Sequence, residues 1–73
     1  MIIVKETLYQ LRVNLGWTQR ALAQKSGVNA VSVMNAEKGK RITAVSAKKI
    51  ADALSEAYGC EIKPLDIEGL DIE

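Results

Sequence analysis

Histidine and cysteine, which often carry out catalysis or bind metals, are almost missing from this sequence. It contains no histidine, the commonest general base in enzymes, and a single cysteine, Cys60. One cysteine excludes a disulfide framework, and the lack of histidine removes the usual zinc-binding spacings. No glycine-rich phosphate loop is present either, so no reaction can be written for these side chains. The sequence predicts that the protein is not an enzyme and that it uses no metal or other cofactor.

The charged side chains are distributed unevenly along the chain. Residues 1–58 contain nine Lys and Arg against four Asp and Glu, a net charge of +5. Residues 59–73 contain one Lys against five acidic residues, a net charge of −4, which leaves +1 for the whole chain. A basic body beside an acidic segment indicates a polyanionic partner on one side of the molecule, although an ordinary solvated surface gives the same counts.

The elements that must position these charges are predicted to be helices. A chain of 73 residues makes one domain with a small core. Apolar residues recur at helical spacing, so we expect an all-α, compact bundle of four or five helices without strands. Capping residues and glycines mark the helix ends. The predicted helices begin near Val4, Thr18, Asn29, Thr43 and Pro64, and end near Leu15, Ser26, Lys38, Tyr58 and Glu68.

The second and third predicted helices have the pattern of a helix-turn-helix. Two helices that cross steeply need a small residue where they meet, and Ala23 is in that position. The turn needs a residue that tolerates a left-handed backbone, which Gly27 supplies. The second of the two helices must bury an apolar residue against the first, and Val33 has the required offset. Together, Ala23, Gly27 and Val33 are predicted to hold the two helices in place.

Several short motifs also resemble the lambda-repressor and Cro-type (XRE) helix-turn-helix family. They are Leu11-Arg12, Gly16-Trp17-Thr18-Gln19, Leu22-Ala23, Gly27-Val28, Val33, Glu37 and Gly39. The resemblance covers roughly residues 8–58. We take residues 1–58 as the helix-turn-helix DNA-binding domain. The resemblance implies a sequence-specific transcriptional regulator, with repression the expected activity, whose second helix crosses the DNA backbone and whose third lies in the major groove.

The resemblance further implies roles for individual residues. It implies phosphate contacts by Gln19, Lys40 and Arg41, base contacts by Ala30, Val31 and Asn35 with Asn29 and Met34 beside them, and a structural ion pair of Arg12 with Glu37. Family members often read bases with polar side chains, but Ala30 and Val31 can only contact thymine methyl groups. Asn35 alone could make a bidentate contact with adenine. We therefore expect phosphate contacts and DNA shape to contribute more than base hydrogen bonds.

Residues 59–73 are predicted to form a short fifth helix and an alternating acidic and apolar stretch. This stretch either frays or pairs with another chain. Its apolar residues exceed what one short helix can cover, which makes it our candidate dimer contact; they are Ile62, Leu65, Ile67, Leu70 and Ile72. We expect a homodimer, because two recognition helices about 34 Å apart reach successive major grooves.

A different class of function is a helix-turn-helix scaffold that binds protein, such as an antitoxin or a modulator of another regulator. The apolar third helix and the nearly neutral total charge favour this alternative. Binding that weakens steeply with salt would indicate double-stranded DNA as the partner, and salt-insensitive binding would indicate a protein. No apolar run approaches the roughly 20 residues of a membrane span, so we expect a cytoplasmic protein without a membrane partner or a small-molecule cofactor.

Overall fold

The computed structural model describes residues 6–73 and is mostly helical, which confirms the predicted all-α class. In this range the chain forms four α-helices, one 3-10 turn and four strands of two residues each. The helices are α1 (Leu8–Asn14), α2 (Gln19–Ser26), α3 (Ala30–Glu37) and α4 (Ala44–Tyr58), and the 3-10 turn is Pro64–Asp66. The strands are β1 (Glu6–Thr7), β2 (Arg41–Ile42), β3 (Ile67–Glu68) and β4 (Asp71–Ile72).

Each α-helix begins at a residue whose side-chain oxygen accepts a hydrogen bond from a backbone amide in the first turn. These residues are Thr7, Thr18, Asn29 and Thr43. Capping satisfies amides that have no partner inside the helix, so it fixes where each helix starts. The first helix therefore starts at Leu8, later than predicted, because Thr7 caps it and Glu6 and Thr7 lie in β1. Val4, the predicted start, lies outside the described residues.

The core is built from aliphatic side chains of all four helices. The largest side chains without solvent contact are Leu8, Leu11, Leu22, Val33, Ile50, Leu54 and Ile62. Small residues accompany them, among them Ala23, Ala47 and Ala51, so that the helices approach closely. Burying each large aliphatic side chain contributes about 1.5–3 kcal/mol relative to exposing it, which is a large share of the stability of a domain this small.

The prediction of a chain without strands was wrong. Strand β1 pairs in parallel with β3, with Glu6 opposite Ile67, and β2 pairs in parallel with β4, with Arg41 opposite Asp71. Both strands of residues 59–73 therefore pair within this chain, so this stretch is not a frayed end and does not need another chain for a partner strand. The pairings are too short to show the alternating pattern by which a strand is recognised in a sequence.

The predicted fifth helix is shorter than expected. It is a single 3-10 turn, Pro64–Asp66, because Ile67 takes an extended conformation and joins β1. This places Ile67 and Ile62 in the core, and Leu70 and Ile72 pack against it. The fold thus covers most of the apolar surface that suggested a dimer contact, and only Leu65, 89% exposed, stays open. The dimer itself stays a prediction.

Candidate nucleic-acid interface

Helices α2 and α3 are joined by a tight turn and meet at residues with small side chains. Ala23 on α2 and Val33 on α3 are both buried in the core. Gly27 ends α2 in the left-handed region, with φ +81°, and its amide donates a 2.9 Å hydrogen bond to the Ala23 carbonyl. An L side chain is strained at that φ, whereas glycine adopts it freely. These contacts fix α3 against α2 and leave one face of α3 outside the core.

Glu37, at the end of α3, is held by side chains from two other elements. Arg12 of α1 donates to it from Nε at 2.5 Å and from Nη2 at 3.1 Å. Gln19, the first residue of α2, donates from Nε2 to the Glu37 Oε1 at 3.0 Å. Arg12 Nη1 also donates to the Trp17 carbonyl at 2.8 Å. One carboxylate thus links α1, the start of α2 and the end of α3.

The ion pair of Arg12 with Glu37 is nearly enclosed. The two side chains are 11% and 7% exposed. The hydrogen bond to Glu37 raises the pKa of Arg12 above its ordinary value, since it favours the charged guanidinium, and the opposing effect of burial is smaller. The raised pKa keeps the Arg12 guanidinium charged at neutral pH and well above it.

The outer face of α3 carries an unusual combination of side chains. Val31 is 59% exposed, Met34 is 37% exposed and Asn35 is half-buried beside them. Their spacing of three and four residues places them on one side of the helix, and Lys38 continues the same stripe. We call these four residues the outer face of α3. It offers two apolar contacts, one amide and one cation.

The charges in the segment that contains α2, α3 and the residues directly after them are mostly positive. Between Thr18 and Thr43 the only acidic residue is Glu37, and its charge is enclosed in the ion pair with Arg12. Five cations lie in the same range, Arg20, Lys25, Lys38, Lys40 and Arg41, and all five are exposed. Exposed cations of this number attract a polyanion. A helix such as α3 fits the major groove of a DNA duplex and is too wide for the minor groove.

A family model described as Helix-turn-helix, of the lambda-repressor-like XRE type, matches residues 8–64. The chain belongs to this family. Its members are DNA-binding regulatory domains, so this helix-turn-helix domain is a DNA-binding protein of transcription regulation. No curated protein and no solved structure gives a significant match. None of the helices in residues 6–73 combines the length and apolar character that a membrane crossing requires.

The phosphate-contacting residues predicted for this helix-turn-helix domain lie in two places. Gln19 is half-buried at the start of α2, where one of its two amide hydrogens is used by Glu37 and the other stays available. Lys40 and Arg41 are both exposed in the segment that follows α3. Lys40 is tied back to α3, since its amide donates to the Asn35 carbonyl at 2.9 Å.

The three residues predicted to face the bases and the two predicted to lie beside them are not equivalent in this helix-turn-helix domain. Val31, Met34 and Asn35 lie on the outer face of α3. Ala30 instead is half-buried and packs against the core. Asn29 is exposed, but its Oδ1 already accepts a 3.0 Å hydrogen bond from the Ser32 amide and caps α3.

Two residues near this surface were not predicted from the sequence. Lys38 is part of the outer face of α3, and its spacing of seven residues from Val31 could have indicated this. The second is Asp71, whose Oδ1 lies 3.5 Å from the Arg41 Nε. No local sequence pattern reveals this pairing, because it depends on the pairing of β2 with β4.

Proposed function

We propose that this domain represses transcription by binding a specific DNA sequence with α3 in the major groove. The observation that carries the proposal is the outer face of α3, which combines an amide and two apolar side chains on a helix, with exposed cations in the segments before and after it. An α-helix is the element that fits the major groove. A DNA-binding regulator of this kind would work in the cytoplasm, without a cofactor.

The chemistry of the outer face of α3 suggests the bases that it reads. The side-chain amide of Asn35 can donate to adenine N7 and accept from its N6 amino group, which is the bidentate contact that distinguishes adenine. Val31 and Met34 have no hydrogen-bonding side-chain group of comparable strength and fit the methyl group of thymine. We therefore expect a site whose central contacts are A·T base pairs.

The phosphate contacts would come from both sides of α3. The first amides of α2 have no partner within the helix, and the positive end of the helix dipole favours an anion there. Gln19 and Arg20 stand at this end. On the other side, Lys40 and Arg41 would contact the backbone. These contacts would orient α3 without reading sequence.

We propose that the domain binds as a homodimer, with the two copies of α3 in successive major grooves about 34 Å apart. Leu65 supports a contact through residues 59–73, since it is 89% exposed although it is a large apolar side chain. Regulation would then follow the protein concentration or a protein partner.

Selection from a pool of random duplexes tests this proposal. We expect the enriched sequences to share an A·T-containing half-site, repeated as a palindrome with its two copies one helical turn apart. A single unrepeated half-site would contradict the homodimer but keep the major-groove reading. No enrichment at all would contradict sequence-specific binding.

A second candidate function is binding to another protein through the same face. The exposed Val31 and Met34 favour it, because apolar side chains on a helix also fit an apolar groove. The salt dependence of affinity separates the two. DNA binding should follow a log–log slope of about −0.9 for each phosphate neutralised, whereas an apolar protein contact should change little with salt.

A further inference from the structure

Residues 69–73, which contain two acidic residues, run alongside the segment that follows α3. Strand β4 pairs with β2, and the amide of Glu73 donates to the Ile42 carbonyl at 2.9 Å. A β-carbon at Gly39 would lie 4.0 Å from the Gly69 carbonyl oxygen, so the two segments also approach closely at their other end. The backbone pairing therefore holds acidic side chains beside the cations that follow α3.

Within this arrangement Asp71 is paired with Arg41. The Arg41 Nε lies 3.5 Å from the Asp71 Oδ1, and the two side chains are 67% and 46% exposed. An exposed pair with a single contact of this length stabilises the fold very little. A phosphate oxygen can therefore replace the carboxylate at Arg41, while the backbone of β4 keeps the displaced carboxylate nearby.

We infer that Asp71 competes with the DNA backbone for Arg41 and so lowers the affinity of this domain for every duplex. The inference rests on the proposed function, since it concerns a cation that would contact phosphate. While Arg41 stays paired with Asp71, it cannot neutralise a phosphate, so binding releases fewer of the cations condensed on the DNA. Binding then neutralises one phosphate fewer.

The experiment measures the affinity of a mixed-sequence duplex for wild-type protein and for Asp71→Asn across a range of salt concentrations. The variant should bind up to about fivefold more tightly at low salt, in line with the strength of an exposed ion pair. Its log–log salt slope should be steeper by about 0.9, the value for one further phosphate contact. Asp52→Asn is the matched control, because it changes the net charge equally and removes an exposed pair with Lys48 on α4. It should not change the slope.

A double variant separates competition from a general change of charge. In an Arg41→Gln background, Asp71→Asn should increase affinity no more than Asp52→Asn does. Weaker binding by Asp71→Asn would overturn the inference and show that Asp71 positions Arg41 for DNA. An unchanged affinity and slope would overturn it as well. If neither wild type nor variant binds any duplex, the proposed function fails and the inference fails with it.

Discussion

Arg12 of α1 and Glu37 of α3 form a two-hydrogen-bond ion pair that is almost closed to solvent, with exposed fractions of 11% and 7%. Because the same carboxylate accepts a hydrogen bond from Gln19, the pair also fixes the start of α2 relative to α3. The orientation of the helix proposed to read DNA thus depends on a charge pair behind it.

Replacing Glu37 by Ala should lower the free energy of unfolding by about 3–5 kcal/mol, because an enclosed guanidinium loses its partner. Chemical denaturation measures this loss. The matched control is Asp52→Ala, which removes an exposed pair and should change stability by about 1 kcal/mol or less. Equal losses in the two variants would show that the pair of Arg12 with Glu37 is not enclosed in solution.

The stability of the domain should fall at alkaline pH because of Tyr58. Its hydroxyl donates to the Leu11 carbonyl at 2.8 Å and joins the end of α4 to α1. Burial, and then the charge of Glu6, raise the pKa of Tyr58 above its ordinary value of 10.0. A raised pKa favours the protonated form in the folded state, so this contribution is complete below pH 10 and is lost as the pH rises through the raised value.

Tyr58→Phe tests this assignment through denaturation at pH 7 and above pH 10. The variant should be less stable at pH 7 by about 0.5–1.5 kcal/mol, the usual contribution of one hydrogen bond, and should lose less stability than wild type at the higher pH. Tyr9→Phe, which removes an exposed hydroxyl, serves as the control. The same alkaline loss in wild type and Tyr58→Phe would contradict this role.

Gly27 should resist substitution for a reason that concerns the backbone alone. A β-carbon there would meet nothing within 4 Å, but φ is +81°. The left-handed conformation destabilises an ordinary L residue by about 1–2 kcal/mol, and asparagine tolerates it best. We expect the melting temperature to fall in the order wild type, Gly27→Asn, Gly27→Ala and Gly27→Val. A Gly27→Val variant with the same melting temperature as wild type would show that the turn is different in solution.

Thymine methyl groups should contribute to binding through Val31. Replacing thymine by uracil in a selected site removes the methyl group but keeps the hydrogen-bonding groups, and should weaken binding by about 0.8 kcal/mol for each methyl buried. In Val31→Ala this sensitivity should decrease. Val45→Ala is the control, because it changes an exposed valine on α4 and should leave the sensitivity to the thymine methyl group unchanged. Equal sensitivity in both variants would mean that Val31 does not contact the methyl group.

The sequence predicted the helices well because their signals are local. Thr18, Asn29 and Thr43 each cap a helix by bonding an amide three residues along, and Gly27 ends α2 through its own backbone. The contacts between distant segments could not be predicted in the same way. The pairing of Glu6 with Ile67 and of Arg41 with Asp71 joins strands of two residues, which have no period to recognise.

The candidate site shows the same difference between local features, which the sequence predicts, and contacts between helices, which it does not. Helical spacing from Val33 correctly separates the buried side of α3 from the side that carries Val31 and Asn35. It does not separate Ala30, whose small side chain fits either environment and packs against the core. Nor does it reveal that Gln19 bonds Glu37, because that contact depends on the angle at which α2 meets α3.

The most direct test of sequence reading by α3 is the affinity of Asn35→Ala for a selected site and for a mixed-sequence duplex. Loss of a bidentate base contact should weaken binding to the selected site by about 1–3 kcal/mol and leave binding to the mixed-sequence duplex nearly unchanged. Asn14→Ala, on α1, should alter neither affinity. A loss for Asn35→Ala that is equal on the two duplexes would contradict base reading by α3.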